Sequence, residues 1–448
     1  MKCCHATGAT RATLRKRRQE AAGHYSGPVT NDQPAASDPI TGRSSLAVVA
    51  AFATASLLGF LLLGIVARWL PKEVNAQFLA IWGLVFGFGS ALSAVEQEIV
   101  RVATRARLAG TKVPARAWQV TAIAVVVALV VLSGVVLVPG IGTVLRTSAT
   151  VLLLSFVAVG GFAVMGMSRG VLLGTGQMGR YVFVVAGEAV FRAVLAIAFY
   201  LWEVTPSLEL ATCTIVIGSF GWVPVARAIV RTVDWGGRRD RVGNVAATVG
   251  TLGLGNGLAA LLITGFPALV TAVTGTTAGL ATLFGAVTLS RLPLIALTPL
   301  QALAVPVATR LVAEDRGDEL RRLVGKIGAI ALAAATVLGV TGWFAGPWAL
   351  RIYMGPAYQA APWMMAVLLA ASCVMAAAML QVAALVAMER YSDVVLTWVV
   401  ADLCAVLMLT IGPGTTETSG ALAFAFGSTL AWLVSAQRVL RGVTGPRQ

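Results

Sequence analysis

From residue 46 onward the chain alternates long apolar runs with short polar connectors. It shows neither the strict alternation of half-buried strands nor the half-polar stripe of surface helices. A membrane-crossing helix needs about 20 mostly apolar residues. That rule predicts twelve spans, near 46–70, 76–100, 117–138, 148–168, 181–201, 210–230, 244–270, 277–309, 323–345, 359–386, 394–411 and 419–437. The eighth is overlong and holds Pro293, Pro299 and Pro306, which predicts a bend or a continuation beyond the bilayer. The expected fold class is an all-α polytopic membrane protein.

Composition agrees with the pattern. Of 448 residues, 58% are apolar and 12% charged, with a mean hydropathy of +0.84. Soluble domains carry about 25% charged residues. A net charge of +15 would suit nucleic acid on a folded basic face, but here the basic residues sit in the connectors, so no nucleic-acid partner is expected. With the N-terminal tail placed in the cytoplasm, 28 of the 34 Lys and Arg fall on that side. Four (Arg68, Lys72, Arg146 and Arg351) fall on the other, and Arg192 and Arg291 lie within spans. This bias predicts both termini in the cytoplasm, and the Ala/Val/Gly/Arg-rich composition suggests a bacterial cytoplasmic membrane. Residues 1–45 combine a basic run, "RATLRKRRQE", with a Pro/Ser/Asp-rich linker. They read as a disordered tail able to touch anionic membrane lipid. Cys3, Cys4, His5 and His24 lack paired zinc-ligand spacing, so neither a metal nor a cofactor is expected.

Internal similarity predicts two parallel halves, residues 46–243 and 244–448, each a six-helix bundle beside a central cavity. "VRVATR" (100–105) resembles "VPVATR" (305–310), and "MGRYVFVV" (178–185) resembles "MERYSDVV" (388–395), at offsets of 205 and 210. The second offset places Asp402 level with Arg192.

Charges inside the spans are the candidate chemistry, because such residues are costly there and persist when paired or facing a wet cavity. "GEAVFRAVLAIAF" (187–199) carries Glu188 and Arg192 four residues apart, the order that favours an ion pair. Arg291 and Asp402 have no charged neighbour at helical spacing. Guanidinium groups suit phosphate through bidentate hydrogen bonds, so Arg192 and Arg291 are candidate substrate grips, with Glu188 and Asp402 as coupling sites or counter-charges. Glu96 and Glu98 are expected to pair at the membrane interface with Arg101 or Arg105. Pro267, in the glycine-rich seventh span, is a candidate hinge, with Arg68 and Pro71 as its counterpart near the outer end of the first span.

"GIVARWLPKEVNAQFLAIWGLV" (64–85) and "GVLLGTGQMGRYVFVVAGEAVFRAVL" (170–195) resemble polysaccharide flippases of the multidrug/oligosaccharidyl-lipid/polysaccharide exporter superfamily, from about residue 46 onward. The resemblance implies two rocking bundles that move a polyprenyl-diphosphate-linked glycan outward. It also implies cationic cavity residues, a role Arg192 and Arg291 would fill, and partner glycosyltransferases or a polymerase of the same pathway. The arginine–aspartate pattern of the peptidoglycan-precursor branch is not found. An ion-coupled multidrug or cation exporter of the same fold is the first alternative. A membrane glycan polymerase or ligase is the second, and short outer loops argue against it. No GxxxxGK[ST] phosphate loop occurs, so nothing in the chain marks a nucleotide-driven pump, and transport without enzymatic chemistry is expected.

Overall fold

The computed structural model describes residues 42–237, 242–275, 279–296 and 316–444, with 277, 304, 307–312 and 314. The basic tail to residue 41, with Cys3, Cys4, His5 and His24, lies outside the described residues, as do Pro299, Pro306 and residues 238–241.

The described residues are helical, as the apolar runs predict. The helices are α1 (Gly42–Trp69), α2 (Lys72–Leu108), α3 (Arg116–Val136), α4 (Ala149–Gly174), α5 (Met178–Leu201), α6 (Leu208–Thr232) and α7 (Val242–Ile263). They continue as α8 (Phe266–Thr274), α9 (Ala281–Ser290), α10 (Gly317–Met354), α11 (Pro362–Ala387), α12 (Tyr391–Ile411) and α13 (Thr416–Thr444). An isolated backbone bridge between Val113 and Val233 ties the loop after α2 to the end of α6. Local chemistry sets several boundaries. Ser148 and Ser207 cap α4 and α6 by accepting the N–H of Val151 at 3.1 Å and of Leu210 at 3.2 Å. Pro362 opens α11, and Gly355, at φ 115°, ends α10.

Among the described residues ten helices are long and apolar enough to cross a membrane, or eleven if α7 and α8 count as one broken span. The seventh span was expected as one element near 244–270 with Pro267 as a candidate hinge. It bends by 79° between Ile263 and Phe266. The N–H groups of Thr264 and Gly265 both turn back to the carbonyl of Ala260, and Pro267 sits in the first turn of α8, where its missing N–H costs nothing. The eighth element is short: α9 ends at Ser290, and the apolar stretch reaches only Leu294 among the described residues.

In the first half, α4 packs against α2, α3 and α6. In the second, α11 packs against α10 and α13, and α13 against α12. α7 lies on the seam, packing most extensively on α2 and next on α12. The expected boundary at 243/244 thus falls in the first turn of a helix shared by both halves.

The halves repeat, but in a different register from the one the motifs suggested. α4 and α11 start at Ala149 and Pro362, and α5 and α12 start at Met178 and Tyr391. Both pairs are 213 residues apart. The turns between them hold Gly176 (φ 77°) and Glu389 (φ 59°), again 213 apart. Met178 opens α5, whereas Met388 follows the end of α11. In this register Asp402 is level with Ala189, and Arg192 with Ala405, so the expected Arg192–Asp402 correspondence is off by three residues.

Candidate functional site

The charge pair of the fifth span lies in the interior of the first half. Glu188 and Arg192 are both buried, with Arg192 Nη2 2.9 Å from Glu188 Oε1. The pair is not closed on itself. Arg169 of α4 places Nη1 3.7 Å from Glu188 Oε2 and Nη2 2.9 Å from Glu96 Oε2 of α2. Tyr181 donates its hydroxyl to Glu96 Oε1 at 3.4 Å. Four charges therefore alternate in sign across three helices, in the order Glu96, Arg169, Glu188, Arg192. The chain is neutral, and each interior member has an opposite charge on both sides, which offsets the desolvation of burying it.

Two of these residues were misplaced by sequence reasoning. Arg169 was assigned to a connector, but α4 runs on to Gly174 and carries it inside the bundle. The apolar "GVLLG" that follows it was the available signal. Glu96 was expected to meet Arg101 or Arg105, but residues two apart on a helix point to different faces. Glu98 takes Arg101 at 2.6 Å and Arg116 at 3.1 Å, while Glu96 turns to Arg169.

Arg192 also lies against aromatic faces, 4.8 Å from the Phe86 ring centre and 5.4 Å from that of Trp82. Gly218 of α6 leaves room for the arginine stem, since an added Cβ there would fall on Arg192 Cγ and Cδ. A cavity of about 240 Å³ opens onto the group, walled by Phe52 and Ser56 of α1, by Phe86, and by Arg169, Glu188 and Arg192. Arg192 Nη1 is buried there with no hydrogen-bond acceptor among the described residues.

Arg291 and Asp402 do not line this cavity. Arg291 follows the end of α9, with Nε and Nη2 buried and without an acceptor among the described residues. Asp402, on α12, has both carboxylate oxygens buried and unpartnered among the described residues. Among the described residues no cluster of His, Cys, Asp and Glu could hold a metal ion.

No family model matches the chain. An uncharacterized Mycobacterium tuberculosis protein, Rv1510, is 30% identical over 415 residues, covering 88% of this chain and 90% of its own length. The chain belongs to the family of Rv1510. A second uncharacterized protein of that organism, Rv3630, is 30% identical over 288 residues, 60% of this chain and 62% of its own. Among solved structures, the inward-facing conformation of a multidrug resistance MATE family transporter of the MOP superfamily matches with a TM-score of 0.64 at 15% identity. That match covers 86% of this chain and 94% of that one. The outward-facing conformation of a transporter so described matches at 0.57 and 12% identity, over 90% and 96% of the two chains. A MOP superfamily transporter from Pyrococcus furiosus, described by a reverse polarity of its binding pocket, matches at 0.56 and 15% identity over 89% and 96%. The fold is the two-lobed, twelve-helix MOP architecture.

In this MOP fold the two halves also meet at the end remote from the Arg/Lys-rich loops. Arg68, at the end of α1, donates to the carbonyls of Ile352 and Tyr353 in the last turn of α10, where a cation complements the helix dipole. Tyr353 donates back to the Phe60 carbonyl at 2.7 Å. Asn75 Nδ2 donates to the Tyr358 hydroxyl at 2.8 Å, with Lys72 Nζ 5.8 Å from that ring's centre. Burial pushes the Tyr358 phenol up to about 12, so it stays neutral in this contact. Pro71 precedes the first turn of α2 and sets the corner between the two anchoring segments. Pro267 lies at the α7–α8 break, where Gly83 of α2 approaches closely: a Cβ at Gly83 would stand 3.1 Å from the Thr264 carbonyl oxygen and 3.2 Å from Pro267 Cδ.

Proposed function

We propose that the protein is an alternating-access membrane transporter that exports an amphiphilic solute in exchange for ions. The observation that carries this reading is the charge chain Glu96–Arg169–Glu188–Arg192, half-buried at Glu96 and Arg169 and buried at Glu188 and Arg192, ending on an aromatic-walled cavity. An alternating row of charges is bistable with respect to a proton or cation: an added positive charge at Glu188 releases Arg169 and Arg192 from it and changes how α2, α4 and α5 are tied. Asp402, a buried carboxylate without a partner among the described residues, offers a second place for such an ion. The contacts of Arg68, Asn75, Tyr353 and Tyr358 would act as the gate at the outer end, with α7–α8 bending at Pro267. The multidrug exporters among the structural neighbours favour this class of solute. The test is efflux of a fluorescent amphiphile from proteoliposomes under imposed proton or sodium gradients. Efflux that ignores both gradients would sink the coupling.

The flippase reading keeps one specific observation in its favour. Among the described residues Arg192 Nη1, in the cavity, is a buried donor without an acceptor, as a grip for a diphosphate requires, and so are Arg291 Nε and Nη2 outside it. Under this reading the cargo is a polyprenyl-diphosphate-linked glycan, and glycosyltransferases or a polymerase of the pathway are the partners. In either reading the chain sits in a bacterial cytoplasmic membrane with both termini inside. Depletion of the protein followed by mass spectrometry of lipid-linked sugars separates the two, since only a flippase leaves its cargo trapped in the inner leaflet.

A further inference from the structure

α2, α3 and α7 enclose a groove of about 490 Å³ that takes no part in the charge chain. Its walls are apolar throughout, from Leu84, Phe88 and Val95 on α2 to Val131 on α3 and Leu254 on α7. Val131 and Leu254 are exposed at its rim, so it opens sideways toward the hydrocarbon. Glycines hollow it out: a Cβ added at Gly250 or Gly253 would meet no atom within 4 Å. From Gly83 to Val95 the groove follows α2 for about 18 Å at 1.5 Å per residue. That is close to one leaflet's share, about 15 Å, of the hydrocarbon core. A volume of about 490 Å³ spread along that length is a slender slot, which suits a single hydrocarbon chain and not a helix about 10 Å across.

At the Arg/Lys-rich end, α2, the start of α3 and the loop between them form a second pocket of about 390 Å³, lined by Arg101, Arg105, Lys112 and Arg116. One carboxylate, Glu98, is paired with Arg101 and Arg116. Among the described residues four cations therefore meet one anion, and Arg105 and Lys112 are exposed to solvent. Val102 in this pocket is seven residues beyond Val95 in the groove, two helical turns along one face of α2. The dry slot and the cationic pocket are successive parts of one surface.

We propose that this surface binds an anionic membrane phospholipid, with its phosphate in the basic pocket and one acyl chain in the groove. Basic pockets between membrane helices select anionic headgroups by charge, and a choline headgroup would set a fifth cation among the four. The site lies where α7 of the seam meets α2, outside the transport cavity, and does not depend on the transport reading.

The test uses delipidated, full-length protein titrated by native mass spectrometry with dioleoyl phosphatidylglycerol or dioleoyl phosphatidylcholine. One phosphatidylglycerol should bind in clear preference to phosphatidylcholine. The double variant Arg105→Gln/Lys112→Gln, at exposed positions, should weaken it by about tenfold or more. Gly253→Leu, which fills the slot where a Cβ has open space, should displace it while leaving the thermal midpoint without lipid unchanged; Gly250→Leu serves the same purpose if Gly253→Leu fails to fold. Equal binding of the two lipids, or wild-type phosphatidylglycerol affinity in the folded variants, overturns the site. Undecaprenyl phosphate displacing phosphatidylglycerol at much lower concentration would overturn the assignment to a phospholipid.

Discussion

Arg169 Nη2 stands 2.9 Å from Glu96 Oε2 and joins α4 to α2 inside the first half. Removing one member of a buried pair leaves its partner uncompensated and costs about 3–5 kcal/mol, whereas removing both is far less damaging. Glu96 and Arg169 are half-buried, so Glu96→Gln should lower stability by less than that, about 2 kcal/mol, and Glu96→Gln/Arg169→Met should recover most of the loss. Thermal unfolding of the four proteins in detergent closes the cycle. Additive effects would mean that the two side chains do not interact.

Glu188 is the member of the chain with an arginine on either side. Glu188→Gln keeps the shape and removes the charge, so gradient-driven efflux in proteoliposomes, normalised to the folded protein reconstituted, should fall to background. Arg192→Lys should lose about tenfold or more in transport, because an ammonium reproduces neither the guanidinium fork nor its stacking on Phe86. A fully active lysine variant would show that charge alone suffices there.

Tyr353 and Tyr358 each contribute one hydroxyl hydrogen bond to the contact between the halves. A net hydrogen bond is worth about 1 kcal/mol. Tyr353→Phe and Tyr358→Phe should each shift the gate equilibrium toward opening by roughly fivefold. Distances between spin labels on α1 and α10 report the two populations. Distributions identical to the wild type would show that these contacts do not hold the gate.

Gly176 and Glu389 occupy equivalent turns at positive φ. That conformation costs an L side chain roughly 1 kcal/mol and glycine nothing. Gly176→Ala should lower the unfolding free energy by about 1 kcal/mol, and Glu389→Gly should leave it unchanged or raise it slightly. Melting curves of the single variants decide this, and a stabilising Gly176→Ala would contradict the assigned turn.

The turn also explains why the repeat was seen out of register. "MGRY" and "MERY" match as letters, yet Met178 opens one helix and Met388 closes another. Helices rich in Val and Ala supply such matches readily, while the backbone signal is a single residue beyond each helix end that must accept positive φ. A glycine there is legible, and Glu389 is not. The break between α7 and α8 was half legible in the same way. Pro267 and the surrounding glycines marked a weak point, but the 79° bend also depends on α2 approaching through Gly83.

Hydropathy by itself determined that the chain is helical and membrane-crossing, because hydrocarbon leaves backbone amides no partners except those within their own helix. It also determined the (i, i+4) pairing of Glu188 with Arg192, which helix geometry dictates locally. Only tertiary structure decided that Arg169 and Glu96 complete that pair into a chain, and that Arg291 and Asp402 stand apart from it. Charges meet across helices according to packing angle and rotation, and these are set by the summed fit of many apolar side chains, which no local spacing encodes.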